Sequence, residues 1–261
     1  MCFRRNIMDI ASLLEEKYLQ YNQVNFIEND PILIPHLFSL KEDIEIMGFF
    51  ASILAWGQRI TIINKCKLLI SLFDNAPFDF ILNHETKDLT QISKFVHRTF
   101  NGTDLLYTIY ILKQIYTQHG SLENAFSIGL NTESENIEMG LNNFKKLFSD
   151  SEFYPQRTGK HIASPLQKSA CKRLCMYLRW MVRNDDKGVD FGLWTKIKPS
   201  QLICPCDVHV DRVARHLGLL QTNKTDWNAA VTLTQNLKTY DAQDPVKYDF
   251  ALFGMGVERY F

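Results

Sequence analysis

An all-α fold is predicted by two observations. Apolar residues recur at helical spacing in one segment after another, and no run alternates at period two for long enough to require a sheet. Helix start and stop signals, Asp, Ser or Pro before a periodic stretch and Gly after it, bracket several of these segments and support the same prediction.

The first helix is expected over Ile7 to Tyr21, where Ile10, Leu13, Leu14, Tyr18 and Tyr21 share a face and the charges lie opposite. Asp43 to Leu72 is one long periodic stretch, expected as two helices meeting near Trp56-Gly57-Gln58. Asp104 to His119 carries Leu105, Tyr107, Ile109, Leu112 and Ile115 before a His119-Gly120 stop, and Ser121-Leu-Glu-Asn124 signals another start. Ile137 to Phe148 reads as a helix, and residues 149–170, rich in Ser, Pro, Lys and Gln, as a loop or broken segment. A helix is expected over Ser169 to Arg183, with Leu174, Leu178 and Met181 on its core face and Lys172, Arg179 and Arg183 on another. Further helices are expected over Asp207 to Leu217 and Asp226 to Leu237, and a last one opens at Asp244-Pro245, Asp as N-cap and Pro at the first helical position.

Length and composition set bounds. A chain of 261 residues with 46% hydrophobic and 22% charged residues can bury a sizeable core as one large unit or two small ones. Its longest apolar runs, such as Ile46 to Trp56, break well before the roughly 20 residues a membrane span needs. Arg4 and Arg5 are followed closely by Asp9, Glu15 and Glu16, so no signal peptide is expected, and six cysteines fit free thiols in a reducing cytoplasm. A monomer without cofactor is expected. Net charge is zero, with 29 basic and 29 acidic residues, but the distribution is uneven. Residues 153–184 hold no Asp or Glu and seven cations: Arg157, Lys160, Lys168, Lys172, Arg173, Arg179 and Arg183. Such a segment is the footprint of a phosphate contact, or alternatively a solvated positive face.

The most informative stretch is Pro205 to Gly218, P-C-D-V-H-V-D-R-V-A-R-H-L-G. It fixes Asp207 as a carboxylate at a helix N-terminus and Gly218 as the stop. A terminal carboxylate near a lysine suits cleavage of an N-glycosidic bond. The carboxylate stabilises the oxocarbenium charge that develops on the sugar, and a lysine such as Lys172 can form a Schiff base with the sugar carbon. As a lone lysine on a basic helix, Lys172 reads first as a phosphate or solvent contact. Gln58, on a turn, can fill the gap left by an extruded base or be an ordinary loop residue. His209 is expected to make a polar contact near Asp207. Cys171, Cys175, Cys204 and Cys206 invite a metal reading, but their spacing departs from the usual zinc knuckles and Cys175 falls beside core residues, so no metal is expected.

P-C-D-V-H-V-D-R-V-A-R-H-L-G-L at 205–219 resembles the helix carrying the catalytic aspartate in the helix-hairpin-helix DNA glycosylase superfamily. Endonuclease III, the adenine glycosylase that acts on mispairs and the 8-oxoguanine glycosylases belong to it. F-F-A-S-I-L-A-W-G-Q at 49–58 resembles the helix and turn that end in that superfamily's DNA-probing glutamine. F-N-G-T-D-L-L-Y, K-R-L-C-M-Y-L-R-W-M-V-R and D-P-V-K-Y-D-F-A-L-F-G-M-G look like an uncharacterised microbial family placed in the same superfamily. Two departures stand out. The glycine-rich hairpin, typically L-P-G-V-G, is not matched by R-N-D-D-K-G-V-D-F-G-L-W-T-K-I-K-P at 183–199, and no four-cysteine iron–sulfur loop follows the last helix. An archaeal 8-oxoguanine branch has an atypical hairpin and a lysine far upstream; Lys172, 35 positions before Asp207, resembles that arrangement, with Lys168 as second choice.

The resemblance implies a single two-lobed helical glycosylase-like unit over 1–261 with an atypical helix-hairpin-helix, its basic segment at 153–184 and its catalytic-type helix at 207–217. It implies a base-excision DNA glycosylase, with or without cleavage of the abasic strand, with Asp207 and Lys172 as catalytic residues. Lys168, Arg173, Arg179, Arg183, Gln58 and His209 would then contact double-stranded DNA bearing a damaged base. The alternative is a non-catalytic nucleic-acid-binding module of the same fold.

Overall fold

The computed structural model describes residues 9–261; Ile7 and Met8, the start of the first expected helix, lie outside the described residues. The protein is predominantly helical. Helix α1 spans Ile10–Tyr21, and Asp9 opens it by accepting from Ala11 N. The long periodic stretch divides as its sequence implies, into α2 (Lys41–Ile53) and α3 (Arg59–Leu72). The break falls at Gly57, whose φ of +110° few other residues tolerate. Helices α4 (Pro77–Asn83) and α5 (Leu89–Ile92) are short. Next come α6 (Gly102–His119), closed by Gly120 in the left-handed conformation, and α7 (Leu122–Phe126), capped by the Ser121 hydroxyl. Then follow α8 (Glu138–Ser149), α9 (Lys172–Val182), α10 (Val208–His216), α11 (Trp227–Lys238) and α12 (Asp249–Glu258).

Three regions depart from the sequence reading. Residues 24–37 form consecutive 3-10 turns, two of them started by Pro31 and Pro35. A hairpin of two-residue strands, β1 (Val96–His97) and β2 (Phe100–Asn101), precedes α6. The His97 ring sits 3.0 Å from the Leu54 carbonyl, which ties the hairpin to the end of α2. Asp244-Pro245 starts a 3-10 turn over Pro245–Tyr248, and α12 begins only after it. In each case the segment is too short for a 3.6-residue period to show.

The buried side chains form one connected core. Helix α12 packs on α1 and α10, while α2 packs on α3, α4 and α9. Two glycines let α12 approach so closely. A Cβ on Gly254 would strike the Tyr21 ring, and one on Gly256 would strike His209. No helix among the described residues is long and apolar enough to cross a membrane.

Candidate active site

Asp207 caps α10 as its sequence dictates. Its Oδ1 accepts from His209 N at 2.8 Å and Val210 N at 2.9 Å, two of the donors a helix start leaves open. Its other oxygen has no hydrogen-bond partner among the described residues. Lys172 is the first residue of α9 and is exposed, with no carboxylate within salt-bridge distance among the described residues. The chain reaches it through two non-glycine residues in the left-handed region, Lys168 (φ +58°) and Cys171 (φ +50°). Each costs on the order of 1 kcal/mol, and such strain persists only where surroundings impose it. Here Ser169 supplies the restraint: its hydroxyl accepts from Cys171 N and its backbone bridges to Asp226.

Lys172 and Asp207 line one pocket of about 100 Å³, several times the room a single water needs. Its apolar wall is Phe26, Ala55, Met176, Trp180, Pro205 and Phe253; its remaining polar groups are Asp30, Arg173, Arg179 and Asp249. The same two residues also line a shallower groove with Ser169, Cys171, Val208, Asp211 and Thr225, so they stand on the boundary between pocket and groove. Trp180 is fully buried, and its indole N–H has no partner among the described residues.

Asp249 is the group that sequence reasoning missed. It is 5% exposed at the first turn of α12. One oxygen accepts from Arg179 Nη1; the other meets only the Cys204 thiol, at 3.9 Å. Burial raises its pKa; Arg179 opposes the rise and the like charge of Asp207 adds to it, for a value of about 7. Asp30, buried in the same pocket, is likewise raised by burial, against an Ile32 N–H hydrogen bond that favours its charged form. Phe253, on the same helix, also lines the pocket. The Asp-Phe at the head of α12 was the available signal.

Three arginines of the basic segment are not free for phosphate. Arg183 is 1% exposed, and its guanidinium donates to Asp185, Asp190, Asp244 and the Tyr18 hydroxyl. Arg179 is 4% exposed and joins Asp190 to Asp249. Burial works against its charge, but the two carboxylates outweigh burial and its pKa is raised. Arg173 donates to the Ile53 carbonyl at the end of α2 and is lowered by burial. For Arg179 and Arg183 the reason is shared: the segment lacks acids of its own, and Asp185, Asp190, Asp244 and Asp249 from beyond it fold onto it. Lys168 and Lys172 remain exposed, as does Gln58 at the start of α3.

His209 also corrects the sequence reading. Its ring packs edge-on to Phe253 and its Nδ1 is buried without a partner among the described residues, so it faces α12 rather than a surface ligand. The stretch at 183–199, which does not match the glycine-rich hairpin, runs back along α9. Phe191 N donates to Trp180 O, Trp194 N to Met181 O, and the Trp194 indole to Glu45.

The described cysteines are free and buried. Burial pushes the thiols of Cys171 and Cys206 up to about 12 and holds those of Cys175 and Cys204 well up, which makes them poor thiolates. No cluster of three or more His, Cys, Asp or Glu among the described residues can hold a metal ion.

Fold and site together define a predominantly helical protein with a pocket lined by both acids and cations, among them a helix-capping carboxylate and a lysine. A family model described as "Protein of unknown function (DUF2400)" matches residues 30–258, and the chain belongs to that family. No curated protein and no solved structure matches the chain.

Proposed function

We propose that the protein is a base-excision DNA glycosylase with two helical lobes and a cleft between them, in which Lys172 acts as nucleophile and Asp207 as its electrostatic partner. The observation that carries this reading is that both side chains line one pocket, on the boundary with a surface groove. A damaged base extruded from a duplex would enter among Phe26, Trp180 and Phe253, while the strand lies along the groove. Lys168, exposed on the left-handed turn that leads into α9 and with no hydrogen-bond partner for its amino group among the described residues, would hold a phosphate of the strand. Asp207 holds its charge toward the sugar because the first backbone N–H groups of α10 fix one oxygen and leave the other open.

Borohydride trapping on duplexes carrying common lesions tests the reading. A covalent adduct is expected with the wild-type chain and not with Lys172→Gln. No adduct on any of those lesions leaves Lys172 without the proposed role. The exposure of Lys172 also suits a phosphate contact, so a non-catalytic nucleic-acid-binding module is the second reading. It calls for salt-sensitive DNA binding that survives Asp207→Asn, with no product formed.

A further inference from the structure

Asp249 is a buried carboxyl with one oxygen committed to an arginine and the other turned to no charged partner, on the wall of the proposed base pocket. We propose that Asp249 is the general acid that protonates the departing base; the proposal rests on the glycosylase reading. Three features carry it. The position is in the pocket and not in the groove: Asp249 lines the pocket only, whereas Asp207 lines both. The oxygen facing Cys204 is free to hold a proton, while the Arg179 pair fixes the orientation and stabilises the carboxylate left behind. Asp207 adds a like charge that favours the protonated form.

The neighbours of this carboxyl come from several elements. From α9 come Arg179 and, around the pocket, Arg173 and Lys172. Asp207 approaches from α10, Cys204 from the segment before it, Asp190 from the strap behind α9 and Asp30 from the 3-10 turns. The Tyr18 ring of α1 lies tilted against Phe250, the residue after Asp249. Within this set the burial of Asp249 and the charge of Asp207 favour a bound proton near neutral pH, where an acid catalyst works best.

The step balances as follows. The bond between the sugar C1′ and the base nitrogen breaks, and its electron pair goes to the base. The Asp249 carboxyl proton moves to a lone pair of the base, which leaves neutral. Lys172 in its unprotonated form gives its pair to C1′ and sheds a proton to solvent. Asp249, now a carboxylate beside Arg179, recovers a proton from water when the base departs.

The test is single-turnover base release from a panel of lesion duplexes between about pH 5 and pH 9, with wild type, Asp249→Asn and Asp249→Glu. In wild type, the rate for a base that must be protonated to leave, divided by the rate for a base that leaves easily without protonation, should fall as pH rises through neutrality; the division cancels the demand of Lys172 for a free electron pair, which both reactions share. Asp249→Asn should release the first base about 10²–10³-fold more slowly and lose that fall, and Asp249→Glu should recover part of both. The base that leaves easily should be released by Asp249→Asn at nearly the wild-type rate, which a merely structural defect would not permit. A wild-type ratio constant through neutrality overturns the acid role even if the variants fail to fold. An Asp249→Asn ratio that keeps the fall also overturns it. Absence of base release by wild type from every duplex defeats the glycosylase reading itself.

Discussion

Two buried carboxylates, Asp104 and Asp249, begin from similar local chemistry and end in different states. Asp104 lies in the first turn of α6, and both of its oxygens are filled. Thr158 Oγ1 donates to one at 2.7 Å, while Asn101 N at 2.9 Å and Arg157 Nη1 at 2.6 Å serve the other. Those partners fasten the 3-10 turn Gln156–His161 to the start of α6, and His161, held down to about 4 chiefly by burial, fills the remaining space. Asp249 also lies in a first helical turn, but only one of its oxygens is matched by a cation, and the other meets a thiol beside an open pocket. A saturated buried acid is architecture. An incompletely matched one beside a cavity is a candidate for chemistry.

The contrast can be broken in several places. Arg183→Met should have the largest effect, because it leaves Asp185, Asp190 and Asp244 without their shared guanidinium. A loss of roughly 3–5 kcal/mol is expected in urea unfolding. Asp207→Asn should lower single-turnover base release by about 10²–10³-fold. Asparagine caps a helix as well as aspartate, so the melting temperature should barely move. Thr158→Val orphans one Asp104 oxygen and should cost about 1–3 kcal/mol while leaving base release intact. A comparable loss of base release would erase the distinction between the two sites.

The last effect is on stability against pH, and its sign differs between the clusters. Asp249 binds its proton more tightly folded than unfolded, so its contribution is present below its ordinary value of 3.8 and is lost as pH rises through about 7. His161 binds its proton less tightly when folded. Its contribution is present above the ordinary 6.5 and is lost as pH falls through about 4. The two therefore oppose one another between about 4 and 6.5. Comparing Asp249→Asn with wild type by thermal unfolding should show the variant losing less stability than wild type as pH rises from about 5 to about 8. An identical dependence in both proteins would remove Asp249 from this account.

Much of the scaffold was legible because its signals are local. Asp207, Asp226 and Ser121 announce helix starts within three residues of the N–H groups they accept from, and the α2–α3 break is written in Trp-Gly-Gln. The basic segment was misread because charge along a chain is not charge in space. Arg183 finds Asp244 61 positions away, and Arg179 finds Asp249 70 away. The pocket wall was hidden for the same reason: Phe26, Trp180 and Phe253 each belong to a separate apolar pattern, and only folding brings them together. His209 faced inward because Gly256 leaves room for α10 to close on α12, a fact no reading of residues 205–219 contains.

Arg179 reaches Asp190 on the strap behind α9 and Asp249 in the pocket with one guanidinium. A single side chain thus serves both the stiffness of the scaffold and the setting of the pocket acid. The two properties cannot be adjusted independently there. Substitutions at Asp190, remote from any ligand, should be inherited as changes in activity, and a chain selected for a new substrate at this pocket would have to accept altered folding stability along with it.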